Sequence, residues 1–454
     1  MSKRVFKGAC LAGVMALCAP AAQAQDNPTT SDSDVAESAP APVSDPQDTS
    51  WQPLADEGIT LSLSYTGEAA SNLTGGLRRD AAYAGQVYVG ADFDVERIAG
   101  IAGGTLHAAI TNRHGESLSA LALGNNTSVQ EIYGTQNTHL AILSWEQKLL
   151  GDRLMIEAGR SQANIHFLNA PIYCNFQSNA ACGNPTFVFK NSNFTYFPAS
   201  SWMVRAKGQL TDQVTLHVGA YEVNPDRKRA SDHGFNFSTK AATGVIVPWE
   251  LTYARDGQGV RLPGHYTLGG WFDRSDYSDP LRDEAGGIAL LSGLPAAQHN
   301  GRSGLFFRFD QRLTRPDPTS DRGLSVFGVA MTNLSGRVEE SRFLDFGIVQ
   351  TGTFAGRDTD TLGLMVSDQR FSDLAMTRFR AARDYAGSDA PVHRHQYMME
   401  LAYGAQINPA IRLSPNLQYI VHPDSSGAPF RVAPVGDEVI VGFKFTVDAL
   451  RLLR

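Results

Sequence analysis

The chain offers few residues whose type and spacing could do specific chemistry. His393 and His395 flank Arg394. Two histidines at i and i+2 could touch one metal ion, but neither an acidic residue nor a third ligand stands close in sequence. They read as exposed loop residues, and no metal site is expected. The G-x-S-x-G elbow, H-E-x-x-H and the P-loop are absent from the sequence. No cofactor and no enzyme chemistry is therefore implied, although a catalytic group assembled from distant strands would leave no local motif. Cys174 and Cys182 stand eight positions apart. In an exported chain such a pair reads as one disulfide around a small loop.

The other candidates are charges on the polar side of alternating stretches: Glu68, Asp92, Arg205, Lys207, Glu250, Arg308, Asp310, Glu400 and Lys444. Both signs occur. A lining of one sign would select ions. A mixed lining with Tyr, Trp, Asn and Gln suits a neutral, hydroxyl-rich solute, because arginine donates several hydrogen bonds and an aromatic ring stacks on a sugar face. Any hydrated barrel also needs a polar lining, so the same residues fit a general solute channel.

The elements that must position these charges have a period of two. Ile59, Leu61, Leu63 and Tyr65 alternate with polar residues, as do Leu305, Phe307 and Phe309, and Val439, Val441, Phe443 and Phe445. This is the pattern of half-buried strands. Sixteen such stretches lie near 59–68, 83–96, 103–113, 138–149, 152–160, 202–210, 213–222, 243–254, 265–273, 303–313, 322–331, 343–352, 360–367, 396–407, 411–420 and 438–447. Pro415 interrupts one of them and predicts a bulge or a later strand start.

The connections alternate in length. Long ones run about 71–82, 114–137, 161–201, 223–242, 274–302, 332–342, 368–395 and 421–437, and the others are short. A transmembrane antiparallel β-barrel has this asymmetry, with short periplasmic turns and long outer loops. Its lumen can be polar while its lipid face is apolar, which reconciles a membrane protein with a mean hydropathy of -0.21. Trp145, Trp202, Trp249 and Trp271 are candidates for interfacial girdles. The 161–201 connection, rich in aromatics and asparagine, is the candidate to fold inward and narrow the lumen.

Composition agrees. The 454 residues carry 39 Lys+Arg against 46 Asp+Glu, a formal net charge of -7, which argues against a nucleic-acid partner. Residues 1–24 read as a secretory signal peptide, with Lys3, Arg4 and Lys7 before an apolar run and Ala22-Gln23-Ala24 at the cleavage site. Residues 25–57 read as an acidic flexible arm, 58–447 as the barrel and 448–454 as a short tail.

Several segments resemble the carbohydrate-selective porins of the OprB family. They are Asn72-Leu73-Thr74-Gly75-Gly76-Leu77-Arg78-Arg79, Trp145-Glu146-Gln147 before Gly159-Arg160, and Cys174-x-Phe176 with Cys182-Gly183-x-Pro185. Further along come Gly352-x-Phe354-x-Gly356-Arg357-x-x-Asp360 and Pro415-x-Leu417-Gln418-Tyr419-Ile420. The resemblance implies a sixteen-stranded outer-membrane channel passing monosaccharides, glucose above all, with Pro415 as a family feature. By the same match it implies Arg78, Arg79, Glu146 and Arg160 as lining residues. Outer-membrane lipid, lipopolysaccharide and the barrel-insertion machinery would be its other partners. A general small-solute porin, a barrel enzyme and an adhesive barrel are the alternatives. The tail 448–454 lacks the terminal aromatic common in such barrels.

Overall fold

The structure is a computed structural model that describes residues 52–182, 184–257, 259–317, 320–424 and 426–453. The signal-peptide reading and residues 25–51 of the acidic arm lie outside the described residues. The arm's last part, Gln52–Asp56, is one short helix leading into the first strand.

The strands are β1 Ile59–Thr74, β2 Ala81–Asp94, β3 Gly104–Gly115, β4 Thr138–Leu149, β5 Leu154–Ser161, β6 Ser201–Thr211, β7 Val214–Val223 and β8 Gly244–Arg255. They continue with β9 Gly264–Asp283, β10 Ala296–Arg312, β11 Gly323–Ser335, β12 Glu340–Thr351, β13 Thr361–Phe371, β14 His395–Asn408, β15 Ile411–Val421 and β16 Glu438–Asp448. They form a closed antiparallel barrel in chain order. Closure runs from Ser64 opposite Asp448 to Thr74 opposite Val439. Each expected stretch is a strand. Eight loops, L1 to L8, span 75–80, 116–137, 162–200, 224–243, 284–295, 336–339, 372–394 and 422–437, all at one end.

The wall is apolar outside and polar inside. Val204, Leu251, Phe307, Leu364, Leu401 and Val441 are exposed, whereas Glu68, Arg205, Glu250, Glu400 and Lys444 are buried. Hydrocarbon offers no hydrogen bonds, so a spanning sheet must close on itself and turn its charges inward. No described helix is long and apolar enough to cross a membrane.

Three differences from the sequence reading have physical causes. First, β9 and β10 pair far into the expected 274–302 loop, from Phe272 opposite Ser303 to Asp283 opposite Ala296. The added stretch, 274–283, is largely polar, so hydrophobic alternation does not reveal it. Second, Trp271 is no girdle residue. It points inward, fully buried, with its ring 6.3 Å from that of Phe187. A side chain at Gly304 would come within 2.1 Å of that indole, so glycine opens the space the tryptophan fills. Third, Pro415 makes neither a bulge nor a late start. It lies within β15, and the β14–β15 pairing passes from Ala402–Asn416 to Ala405–Leu413 in unchanged register. The missing N–H removes ladder bonds locally, and the proline opens toward lipid as an exposed residue.

The tail turns back on itself. Asp448 accepts from the N–H groups of Leu450 and Arg451, capping the helical turn Ala449–Leu452.

Candidate functional site

L3 folds into the barrel. Its aromatic residues find two apolar seats on the inner wall. Phe167, Phe187 and Phe194 pack with Tyr221, Ile246, Trp271, Phe306 and Phe343. Tyr173 and Phe176 pack with Phe327, Met365 and Met398. L2 follows, burying Leu118, Ala122, Leu123 and Val129 in the second cluster. Burying these side chains offsets the entropy of ordering two long loops.

Inward charges fix the seats. Glu250 accepts from the N–H of Leu168 at 2.7 Å. Its other oxygen meets Arg308 at 3.3 Å. Glu400 accepts from the N–H groups of Gln177 at 2.6 Å and Ser178 at 3.0 Å. Lys444 pairs with Glu68 at 3.2 Å and with Glu131 of L2 at 3.6 Å, and it donates to the carbonyl of Phe176 at 3.4 Å. Asp273 accepts from the N–H of Asn193 at 2.8 Å. Glu250, Glu400 and Lys444 thus hold the loops, and Arg308 pairs with the first of them.

Cys174 and Cys182 both lie within L3, where this structure holds them unbridged. The turn at Pro171–Asn175 and the chain that follows bring them into mutual hydrogen-bond contact without joining them. Lys444 Nζ is 3.5 Å from the Cys182 sulfur.

A second polar group lies on the wall from β2 to β7. Asp92 holds His107 at 2.7 Å, and His107 and Arg205 each lie 3.8 Å from Glu146. Arg205 pairs with Glu157 at 2.6 Å, and Ser144 donates to Glu157. Phe167 of L3 stacks on His217 at 4.0 Å. Lys207 shares Arg205's inward parity, two positions nearer the short turns, and is exposed. Asp310 pairs with His265 at 2.8 Å.

The remaining expected lining residues lie elsewhere. Arg78 sits in L1, more than half exposed and paired with Asp80 at 3.1 Å. Arg79, beside it, is exposed. Arg160 is fully buried, but not on the pore. It shares the outward parity of Ile156 and Ala158, and L4 folds over it. Its guanidinium donates to the carbonyls of Asn236 at 2.8 Å and Ser200 at 2.6 Å, between the rings of Trp202 and Phe237. Arg357 lies in the 352–360 turn and pairs with Asp360 at 2.8 Å. His393 and His395 diverge: His393 stacks on His422 at 4.1 Å, whereas His395 pairs with Asp368 at 2.7 Å.

Between L2, L3 and L4 lies a cavity of about 340 Å³. Its lining includes the amides of Asn126, Asn164, Asn179 and Asn184, the rings of Tyr133, Phe189 and Phe194, and the charges of Arg113, Glu131, Lys190 and Lys228. Arg113 donates to Gln86 at 2.7 Å and lies over Phe197. Phe189 is exposed, with the ammonium groups of Lys190 and Lys228 at 5.9 and 5.6 Å from its ring centre.

His107, Arg113, Glu157 and His217 were not singled out from the sequence. A signal existed for two of them: Thr105, His107, Thr111 and Arg113 form the polar parity of β3 opposite Leu106, Ala108 and Ile110. Loop residues such as Phe189 have no parity to read.

A family model described as carbohydrate-selective porin, OprB family, matches residues 78–448. Porin B of Pseudomonas aeruginosa is 28% identical over 406 residues, covering 86% of this chain and 87% of that protein. The high-pH structure of Pseudomonas putida OprB superposes with a TM-score of 0.78 at 28% identity, covering 87% of this chain and 95% of that one. The Salmonella typhi OmpF complex with daunomycin has a TM-score of 0.52 at 11% identity, covering 86% and 98%, a likeness of fold alone. A sixteen-stranded wall, a loop anchored across its lumen and a family match over most of the chain agree. The chain belongs to the OprB family of carbohydrate-selective porins, sugar-selective channels of the Gram-negative outer membrane.

Proposed function

We propose that this channel passes monosaccharides, glucose among them, by passive diffusion, with its short turns and N-terminus in the periplasm and L1 to L8 facing outward. The supporting observation is how the inner charges are used. Glu250, Glu400 and Lys444 hold L2 and L3, and Arg205 lies among carboxylates. What faces the cavity is dominated by amides and aromatic rings. Such groups replace part of a sugar's hydration, and the exchange must stay weak for the solute to leave. Residues 1–24 act as the export signal, and the chain works without turnover or cofactor.

A second reading concerns hydroxylated acids. Lys190 and Lys228 border the cavity, and neither lies within ion-pair distance of a carboxylate among the described residues. An aldonic acid would gain there what glucose does not.

Liposome swelling tests both. Refolded protein is compared for glucose, gluconate, a disaccharide and an amino acid of glucose's size. Faster entry of glucose than of the amino acid supports the sugar channel. Faster entry of gluconate than of glucose moves the assignment to sugar acids. Equal entry of all small solutes makes the chain a general porin.

A further inference from the structure

The outer wall carries a trough that the channel does not use. It encloses about 410 Å³, with Gly328 and Ala330 of β11 as its floor. Phe307 and Phe309 of β10 form one side, and Leu344 and Phe346 of β12 with Val366 of β13 form the other. Phe307, Phe346 and Val366 are exposed, on the face that meets lipid. Large residues flanking small ones make a groove the width of a chain, where uniform side chains would give a smooth wall.

The trough ends in charge. Asp368 and Tyr397 belong to its lining toward the loops. Beyond them Arg342, Arg370 and His395 stand side by side on three strands, Arg342 opposite Arg370 and Arg370 opposite His395. All three share the parity of the outward residues. Asp368 holds Arg342 at 3.1 Å and His395 at 2.7 Å, which fixes their orientation. Arg370 donates to the Ser341 hydroxyl at 3.3 Å and has no carboxylate within ion-pair distance among the described residues. From Phe346 to Arg342 the strand runs about 13 Å, about 10 Å along the membrane normal at a tilt of ~40°, toward the loop-side edge of a ~30 Å hydrocarbon core. The basic cluster therefore stands at headgroup depth when the trough lies in the leaflet on the loop side.

We propose that this is a lipid site: the trough seats one acyl chain while Arg342, Arg370 and His395 bind a phosphate of its headgroup. Arginine matches phosphate with paired N–H groups, and the small-residue floor gives the chain its contact surface. The occupant is the phosphorylated, acylated lipid of the outer leaflet, lipopolysaccharide. The inference rests on the proposed orientation, with L1 to L8 outward.

The test is native mass spectrometry of the full chain extracted from outer membranes in mild detergent. Wild type is expected to retain one lipopolysaccharide. The double variant Arg342→Gln, Arg370→Gln should lower retention about tenfold, as should Ala330→Trp, which fills the floor. Dephosphorylated lipopolysaccharide, added to delipidated protein, should bind about tenfold more weakly than the intact lipid. The arginine substitutions lie on the surface, so they keep the test valid even if Ala330→Trp misfolds. Retention equal to wild type in the arginine variant overturns the site. So does a wild-type dimer that Ala330→Trp dissociates, which would mean that a second copy covers the trough. Glucose entry into liposomes should be the same in every variant. Loss of sugar preference in wild type with lipid retention intact would sink the sugar reading and leave this one standing.

Discussion

The Glu400 carboxylate accepts the backbone N–H of Gln177 at 2.6 Å, from 223 residues further along the chain. This contact and its companion at Ser178 fasten L3 to β14. Glu400→Ala leaves two buried N–H groups without an acceptor, at about 1–3 kcal/mol each. L3 should loosen while the closed wall remains. Single-channel conductance should rise and a disaccharide should enter liposomes faster. Glu400→Gln, which keeps one acceptor oxygen, should lie between. Conductance unchanged in Glu400→Ala would show that the aromatic seats alone hold the loop.

Arg160 makes a different prediction because of where it lies. Its guanidinium is enclosed by the Asn236 and Ser200 carbonyls and two rings. Hydrogen bonds to a charged group contribute about 1.5–3 kcal/mol each. Arg160→Ala should therefore lower resistance to urea and free L4, with the sugar-to-ion permeability ratio unchanged. A shift in that ratio at normal stability would put Arg160 back among the pore residues.

The contrast between Glu400 and Arg160 shows what the sequence could carry. Alternation locates strands and assigns faces, because a side chain has two directions to choose from and lipid rejects charge in one of them. Glu250, Arg308, Glu400 and Lys444 were legible as inward residues for this reason. Parity alone does not say what an inward charge meets, and here it meets a loop 80 to 270 positions away. Parity also says little at strand ends, where a loop such as L4 can fold over the outer face and bury Arg160. The added length of β9 was silent because both of its faces are polar there.

The two cysteines should respond to oxidation. Their side chains are already hydrogen-bond partners within L3, and the proposed site of action is an oxidising compartment. Protein isolated from outer membranes should show a mass two hydrogens below the dithiol form, and alkylation under denaturing conditions should fail until a reductant is added. Immediate alkylation of both residues would show that they stay reduced.

L7 and L8 should part in acid. His393 and His422 stack at 4.1 Å with rings 5° from parallel. Burial, then the neighbouring His422 and Arg431, hold the His393 imidazolium below its usual range, with Asp437 opposing. A basic group depressed by folding stabilises the folded contact above its unfolded value, near 6.5, and loses that contribution as pH falls through the folded one. Hydrogen exchange in peptides from L7 and L8, corrected for intrinsic rates, should quicken between pH 7.5 and pH 5. His393→Phe keeps a ring without the charge and should flatten the response. An equal response in that variant would assign the effect to another group.

Phe189 gives the most direct test of sugar contact. Its ring is exposed on the cavity, and Tyr196 meets it edge-on at 5.0 Å. An aromatic so supported presents a flat face on which a pyranose would stack, with the ammonium groups of Lys190 and Lys228 beside it. Aromatic contacts of this kind contribute about 0.5–1.5 kcal/mol, equivalent to roughly two- to tenfold in an equilibrium constant. Phe189→Ala should reduce glucose entry by about that factor at low sugar concentration, where binding limits flux, and leave the amino acid of equal size unaffected. Phe189→Trp should preserve the preference. The difference should shrink at high glucose, because a weak site that saturates no longer sets the rate. If both solutes slow together in Phe189→Ala, the ring shapes L3 and does not meet the sugar.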